Sequence, residues 1–262
     1  MNRTDRERGE TEIVIFGRHP VQEALRSGGA EVLEVKVAKG IAPADRHDLR
    51  VRIDSTKADI GFEEISREWM NRYTGAPRHD QGIAARVRLL RVTEVESIVD
   101  GAKGSAARKP TRLLALDGVT NSQNVGMVVR SVVGAGLDGL LWPVVGQPWV
   151  NGLVVRAAAG AVFECPIVRC ETLTAGLASL QAAGFSSFGL DAGATRSLFE
   201  VDPVHRGVFI LGSESTGLSE EVRGMVDERL AIPMAGPLES LNVAVAAGLV
   251  CFHAAGLLTT KA

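Results

Sequence analysis

Apolar and polar positions alternate with two different rhythms along this chain. From Leu113 onward, short apolar runs at Leu113–Leu116, Gly139–Val145, Ile167–Val168, Phe185–Leu190, Val208–Leu211 and Leu230–Ile232 read as strands. Helical candidates lie between them, near 124–134, 149–159, 172–183, 217–226 and 241–258. Strands and helices alternating at this spacing predict an α/β fold, a mostly parallel sheet covered on both faces. In such folds ligands bind beyond the carboxyl ends of the strands.

The earlier stretch is shorter in period. Ile13–Phe16 reads as a strand and His19–Arg26 as the helix after it. Val32–Val37 and Gly82–Leu90 alternate in the manner of half-buried strands, and Ile65–Tyr73 looks helical, ending near Gly75 and Pro77. Residues 43–62 are mixed and give no clear element. These features predict a small α/β domain over 13–91, preceded by a polar, charged arm over 1–12 that reads as disordered. Residues 92–112 read as a linker, with a candidate helix at Val92–Val99 and then the Gly-, Ala-, Lys- and Arg-rich run 100–112. The second domain is expected to occupy 113–262.

Composition changes this picture little. A chain of 262 residues with 45% hydrophobic and 23% charged content is long enough for two modest soluble domains. The net charge of −2 conceals an asymmetry: residues 1–112 hold 21 Lys+Arg against 18 Asp+Glu, and residues 113–262 hold 8 against 13. An anionic partner would therefore dock more readily on the first part. Cys165, Cys170 and Cys251 have neither disulfide nor zinc spacing and read as reduced, buried thiols of a cytoplasmic protein. The five histidines show no metal spacing either, so no metal is expected. Leu241–Leu258 lacks charge over 18 residues, the length of a membrane span, yet its Ala and Gly content and the included Asn242 and His253 favour a buried or interface helix. No signal peptide is evident, and no membrane association is expected.

Candidate chemistry gathers at three strand-to-helix junctions. The first runs from Leu116 to Arg130; Asn124 is placed to cap the helix and Arg130 lies among Val128, Val129, Val132 and Val133. An arginine in such a patch either faces an anionic partner or pairs with a carboxylate such as Asp117 or Glu214. The second junction is Phe209–Leu218, where Gly212 permits close backbone approach and Glu214 projects beyond the strand, unless it serves only as a first-turn acid. The third is Ile232–Asn242, in which Ser240 and Asn242 sit where a helix cap is needed. One other pattern, Gly134-Ala-Gly-Leu-Asp-Gly139, satisfies G-x-G-x-x-G, but it follows a helix and precedes a strand. That is the reverse of the dinucleotide-binding order, so an oxidoreductase is set aside.

Taken in order, the three junctions resemble the SpoU (TrmH-like) branch of the SPOUT RNA methyltransferases. Asn124 and Arg130 match the family's first motif, Leu211-Gly-Ser-Glu214 with Gly217-Leu218 the second, and Ile232-Pro-Met-Ala-Gly with Ser240-Leu-Asn242 the third. The first domain resembles the small substrate-binding domain of ribosomal RNA members at Phe16-Gly-Arg-His-Pro-Val-Gln-Glu-Ala-Leu25 and His79-Asp-Gln-Gly-Ile83. The resemblance implies a homodimeric enzyme with a C-terminal trefoil knot that moves the methyl of S-adenosylmethionine to a ribose 2′-hydroxyl of RNA, most readily 23S ribosomal RNA. It implies cofactor contacts at Leu190, Gly212, Ile232, Met234 and Leu241, and catalytic roles for Arg130, Asn124, Glu214, Ser240 and Asn242. RNA is expected at the first domain and at Arg18, Arg78, Arg86 and Arg156. A transfer RNA target, or a non-catalytic ribosome-assembly factor on the same fold, are the alternatives.

Overall fold

The structure, a computed structural model, describes residues 11–56, 58–103, 109–202 and 204–258. Most of the expected arm, and residues 104–108 of the expected linker, lie outside the described residues. The chain divides into two compact units, the first formed by residues up to Arg91 together with Val150–Glu164, the second by Val92–Trp149 and Cys165 onward.

The first unit holds β1 (Glu12–Phe16), α1 (Arg18–Arg26), β2 (Ala30–Ala38), α2 (Pro43–Ser55), β3 (Gly61–Ile65), α3 (Arg67–Thr74) and β4 (Ile83–Leu89). Its four-stranded sheet has the order β1-β4-β2-β3, antiparallel at β1–β4 and β2–β4 and parallel at β2–β3. Glu12, expected in the arm, is the first residue of β1 and pairs with both Arg86 and Arg88. The unassigned stretch 43–62 contains α2, whose Pro43 takes the favoured first-turn position, and the start of β3. The turn before β4 is fixed by Asp80. This wholly buried carboxylate accepts from Arg67 Nη1 at 2.6 Å, the Gly82 N–H at 2.7 Å and Thr74 Oγ1 at 3.2 Å. Asp80, inside a motif read above as substrate-binding, is thus also the keystone of a turn.

The second unit is built on eight strands, all parallel: β5 (Val92–Glu94), β6 (Thr111–Asp117), β7 (Gly139–Pro143), β8 (Ile167–Cys170), β9 (Ser186–Leu190), β10 (Arg196–Ser197), β11 (Arg206–Gly212) and β12 (Glu228–Ala231). Their order is β10-β12-β9-β11-β6-β7-β8-β5. Strands buried on both faces need continuous apolar sequence, and Leu113, Leu114, Ala115 and Leu116 of β6 and Val208–Leu211 of β11 are all at most 2% exposed. The expected linker differs from its reading at its start, since Val92–Glu94 adds an edge strand beside β8. Helix α4 (Val95–Lys103) then packs on the core around Val95, Leu141 and Leu177.

Helix α5 (Ser122–Ala135) follows β6. Its cap is Asn121, whose side chain accepts from the N–H groups of Gln123 and Asn124, so Asn124 is freed from the capping role expected of it. The helix ends at Gly136 in the left-handed region, and Gly139 already lies in β7. The G-x-G-x-x-G pattern is therefore a helix-to-strand turn. Helix α6 (Gly152–Ala157) forms where a helix was expected but groups with the first unit. Helices α7 (Leu173–Ala182) and α8 (Glu220–Met225) complete the layer, and α9 (Val243–Ala254) is capped by Asn242. None of the described helices is long and apolar enough to cross a membrane.

Candidate active site

Beyond the carboxyl ends of β6, β11 and β12 the chain turns back toward the next helix, and the three segments meet there. Asn124, on the first turn of α5, donates from its side-chain amide to Glu214 in the loop after β11. Asn242, just before α9, donates to Asn124 Oδ1 at 3.2 Å and to Glu214 Oε1 at 3.4 Å. Glu214 is exposed, so water competes with these bonds. Three residues from three junctions therefore form one hydrogen-bonded set around a single carboxylate. Asn242 does two jobs, because its Oδ1 also caps the Ala244 N–H at 2.9 Å.

The loop that carries Glu214 is a closed hairpin. Ser213 N–H donates to Gly217 O at 3.1 Å and Gly217 N–H to Ser213 O at 2.9 Å. A Cβ on Gly212 would sit 2.0 Å from the Gly217 carbonyl carbon, so only glycine permits the closure. Asp117, at the end of β6, accepts from the Ser219 N–H at 2.6 Å. This leaves neither carboxylate proposed for Arg130 in its company. Arg130 is exposed, and among the described residues no hydrogen bond or ion pair engages its side chain.

Beside this set opens a cleft of about 330 Å³. Its walls include Leu190, Gly212, Ile232, Met234 and Leu241, together with Glu214 and Ser240. Asn124, Arg130 and Asn242 do not line it. Three lining residues carry charge that the motifs above do not include, Asp191, Arg223 and Glu239. Asp191 is held below the usual carboxylate range by the Gly193 backbone N–H, with Arg223 and Arg229 adding to the effect against the cost of burial. Its Oδ2 lies 3.3 Å from Arg223 Nη1 and 3.2 Å from Arg229 Nη1. A charged residue directly after an apolar strand was the available signal for Asp191. Arg223, inside a short helix, offered none.

The expected RNA contacts separate into two kinds. Arg78 and Arg156 are exposed and, among the described residues, have no ion pair. Arg18 is paired with Asp45 at 2.5 Å. Arg86 is held by Glu12 at 2.9 Å and Glu34 at 3.2 Å, which neutralises it within the sheet of the first unit.

Comparison with known proteins gives these geometries a class. Residues 111–252 match the SpoU rRNA methylase family and residues 14–93 match the RNA 2′-O ribose methyltransferase substrate-binding family. The chain is 36% identical to an uncharacterised tRNA/rRNA methyltransferase of Mycolicibacterium gilvum, over 92% of this chain and 75% of that one. A similarly named protein of Mycobacterium avium is 38% identical, over 92% and 76%. Among solved structures, the SpoU methyltransferase AviRb from Streptomyces viridochromogenes, in complex with AdoMet, superposes with a TM-score of 0.71 at 22% identity, covering 98% of this chain and 93% of that one. A structure described as giving insight into the 2-OH methylation of C/U34 on tRNA aligns at 30% identity and a TM-score of 0.50, over 57% of this chain and 97% of its own. The class so defined is that of the RNA methyltransferases. Within it, this chain belongs to the SpoU rRNA methylase family.

Proposed function

We propose that the protein transfers the methyl group of S-adenosylmethionine to a ribose 2′-hydroxyl of RNA, with ribosomal RNA the favoured target. The observation that carries this reading is the Asn124–Glu214–Asn242 set, which shares Glu214 with the adjoining cleft. The cleft's residues fit the cofactor: apolar side chains of Leu190, Ile232 and Leu241 suit an adenine ring, and nearby carboxylates suit a sulfonium cation. When bound, the cofactor supplies an electrophilic methyl on sulfur.

The chain's own residues have to position a weak nucleophile and tolerate the charge that develops on it. Among the described residues no hydrogen bond or ion pair engages the Arg130 guanidinium, so it is free to clamp an RNA phosphate and to stabilise alkoxide charge. Glu214, fixed by two amides, orients the target ribose, and Ser240 at the cleft wall assists in placing it. The homodimer and the trefoil knot that the family resemblance implies belong to this proposal. The dimer is supported by α9, which is apolar on every side yet leaves Val245 50% exposed. A transfer RNA target is the second reading, favoured by the likeness to the structure described for tRNA methylation.

The test is transfer of labelled methyl from S-adenosylmethionine to deproteinised ribosomal and transfer RNA, with Arg130→Ala alongside. Label in 2′-O-methylnucleosides of one pool, lost in the variant, is the expected outcome. Absence of cofactor binding would overturn the enzyme reading in favour of an assembly factor.

A further inference from the structure

The first unit carries a second cavity, of about 560 Å³, that the proposed transfer does not use. Its walls come from the β1–α1 junction (Gly17, His19), from the turn before β4 (His79, Gln81) and from the excursion 150–164 (Arg156, Ala159). These segments are built against one another. A Cβ on Gly152 would lie 2.3 Å from the Phe16 ring, and one on Gly160 would lie 2.9 Å from Glu23 Cγ. Ser27 Oγ donates to Glu164 at 2.7 Å.

Two further observations mark the cavity. Among the described residues, two that are not glycine have φ in the left-handed region, Gln81 at 52° and Ala159 at 49°, and both line it. Such backbone is uncommon outside glycine and gathers at ligand sites. Gln81 is also pinned: its Oε1 accepts from the Arg18 N–H at 2.9 Å, and among the described residues no hydrogen bond engages its amide NH₂. Second, the basic groups of the wall are not held by ion pairs. Among the described residues no carboxylate pairs with Arg156, His19 or His79, and Glu23, the acid in the wall, lies 3.2 Å from Arg26.

A concave site of this size excludes a duplex but accommodates one splayed nucleotide, the form in which proteins read RNA sequence. We propose that this cavity takes a single unstacked nucleotide of the RNA substrate, with its phosphate at Arg156 and its base at the Gln81 amide and the imidazoles of His19 and His79. The inference rests on RNA being the substrate, as proposed above, and adds a recognition site within the first unit.

The experiment is fluorescence anisotropy of the full chain with a labelled single-stranded RNA 12-mer of mixed sequence and with the same strand annealed into a duplex. Arg156→Ala is expected to weaken single-strand binding about tenfold and to reduce the log–log salt slope by about 0.7, the loss of one phosphate contact. His79→Ala is expected to weaken it about threefold without changing that slope, and both variants are expected to leave duplex binding within twofold. Arg72→Ala, whose guanidinium is already neutralised by Glu68, serves as the control. Both residues 156 and 79 are exposed, so an unchanged melting temperature verifies folding. Single-strand binding unchanged in both variants, or an equal loss on duplex, would overturn the proposal. If wild type methylates RNA and the variants keep its affinity, only this inference fails. If no RNA is methylated but Arg156→Ala selectively loses single strands, the transfer reading fails and the nucleotide site stands.

Discussion

The side-chain amide of Asn124 donates to the carboxylate of Glu214, ninety residues further along the chain. Because Asn242 shares that carboxylate, the three act as a unit and their effects should not add. Asn124→Ala and Glu214→Gln are each expected to slow methyl transfer on the order of a hundredfold, the cost of a misplaced reacting group. The double variant should be little worse than either. Single-turnover rates at saturating RNA check this, and simple multiplication of the two losses would mean the residues act separately.

Gly212→Ala should disable the cleft. The added Cβ meets backbone atoms of Gly217 and Leu218 at 2.0–2.3 Å, which no rotamer change relieves. Overpacking of this kind costs about 1–3 kcal/mol, so the fold should survive with a lowered melting temperature. Calorimetric titration with S-adenosylmethionine should show no binding.

Asp191 gives a stability that depends on acid. Its folded pKa is depressed, chiefly by the Gly193 N–H, so its contribution is complete above the ordinary carboxylate range and is lost as pH falls through the lower, folded value. Asp191→Asn should therefore cost about 1–2 kcal/mol at pH 7, and the difference from wild type should shrink below about pH 4. Urea unfolding at pH 7 and pH 3 reads both.

The three thiols should be inert in the native state. Burial pushes Cys165, Cys170 and Cys251 up to about 12. A thiol-specific chromogen at pH 8 should titrate none of them until denaturant is added. The sign for stability follows: only the unfolded chain ionises above the ordinary thiol range, so stability should fall as pH rises beyond about 8.5.

Asp80→Ala should destabilise the first unit by about 3 kcal/mol, because it leaves the Gly82 N–H, Arg67 and Thr74 without their shared acceptor. Chemical denaturation followed by the fluorescence of Trp69 would report it.

Much of this was legible in the sequence, for identifiable reasons. Strands such as Leu113–Leu116 and Val208–Leu211 announce themselves because a parallel sheet covered on both faces tolerates no polar interruption. What failed to show depends on tertiary neighbours. Val92–Glu94 is a strand because β8 lies beside it, and its own residues are not buried. Residues 150–164 look like one more crossover helix until Gly152 and Gly160 are seen pressed against Phe16 and Glu23. The site was legible as residue types at junctions but not as bonds. Asn121 rather than Asn124 caps α5, which frees Asn124 for Glu214, and nothing local distinguishes the two asparagines. Arg86 resembles any basic residue on a strand, yet two carboxylates on neighbouring strands already hold it.

The sharing of Glu214 also sets a schedule for biosynthesis. Its two amide partners stand at 124 and 242, on either side of it in the sequence, so the set cannot close before residue 242 has left the ribosome. Long-range pairing of parallel strands is slow for the same entropic reason. A nascent chain whose first unit binds RNA as proposed above would thus hold a transcript for some time without the means to modify it, and competence would arrive late and all at once.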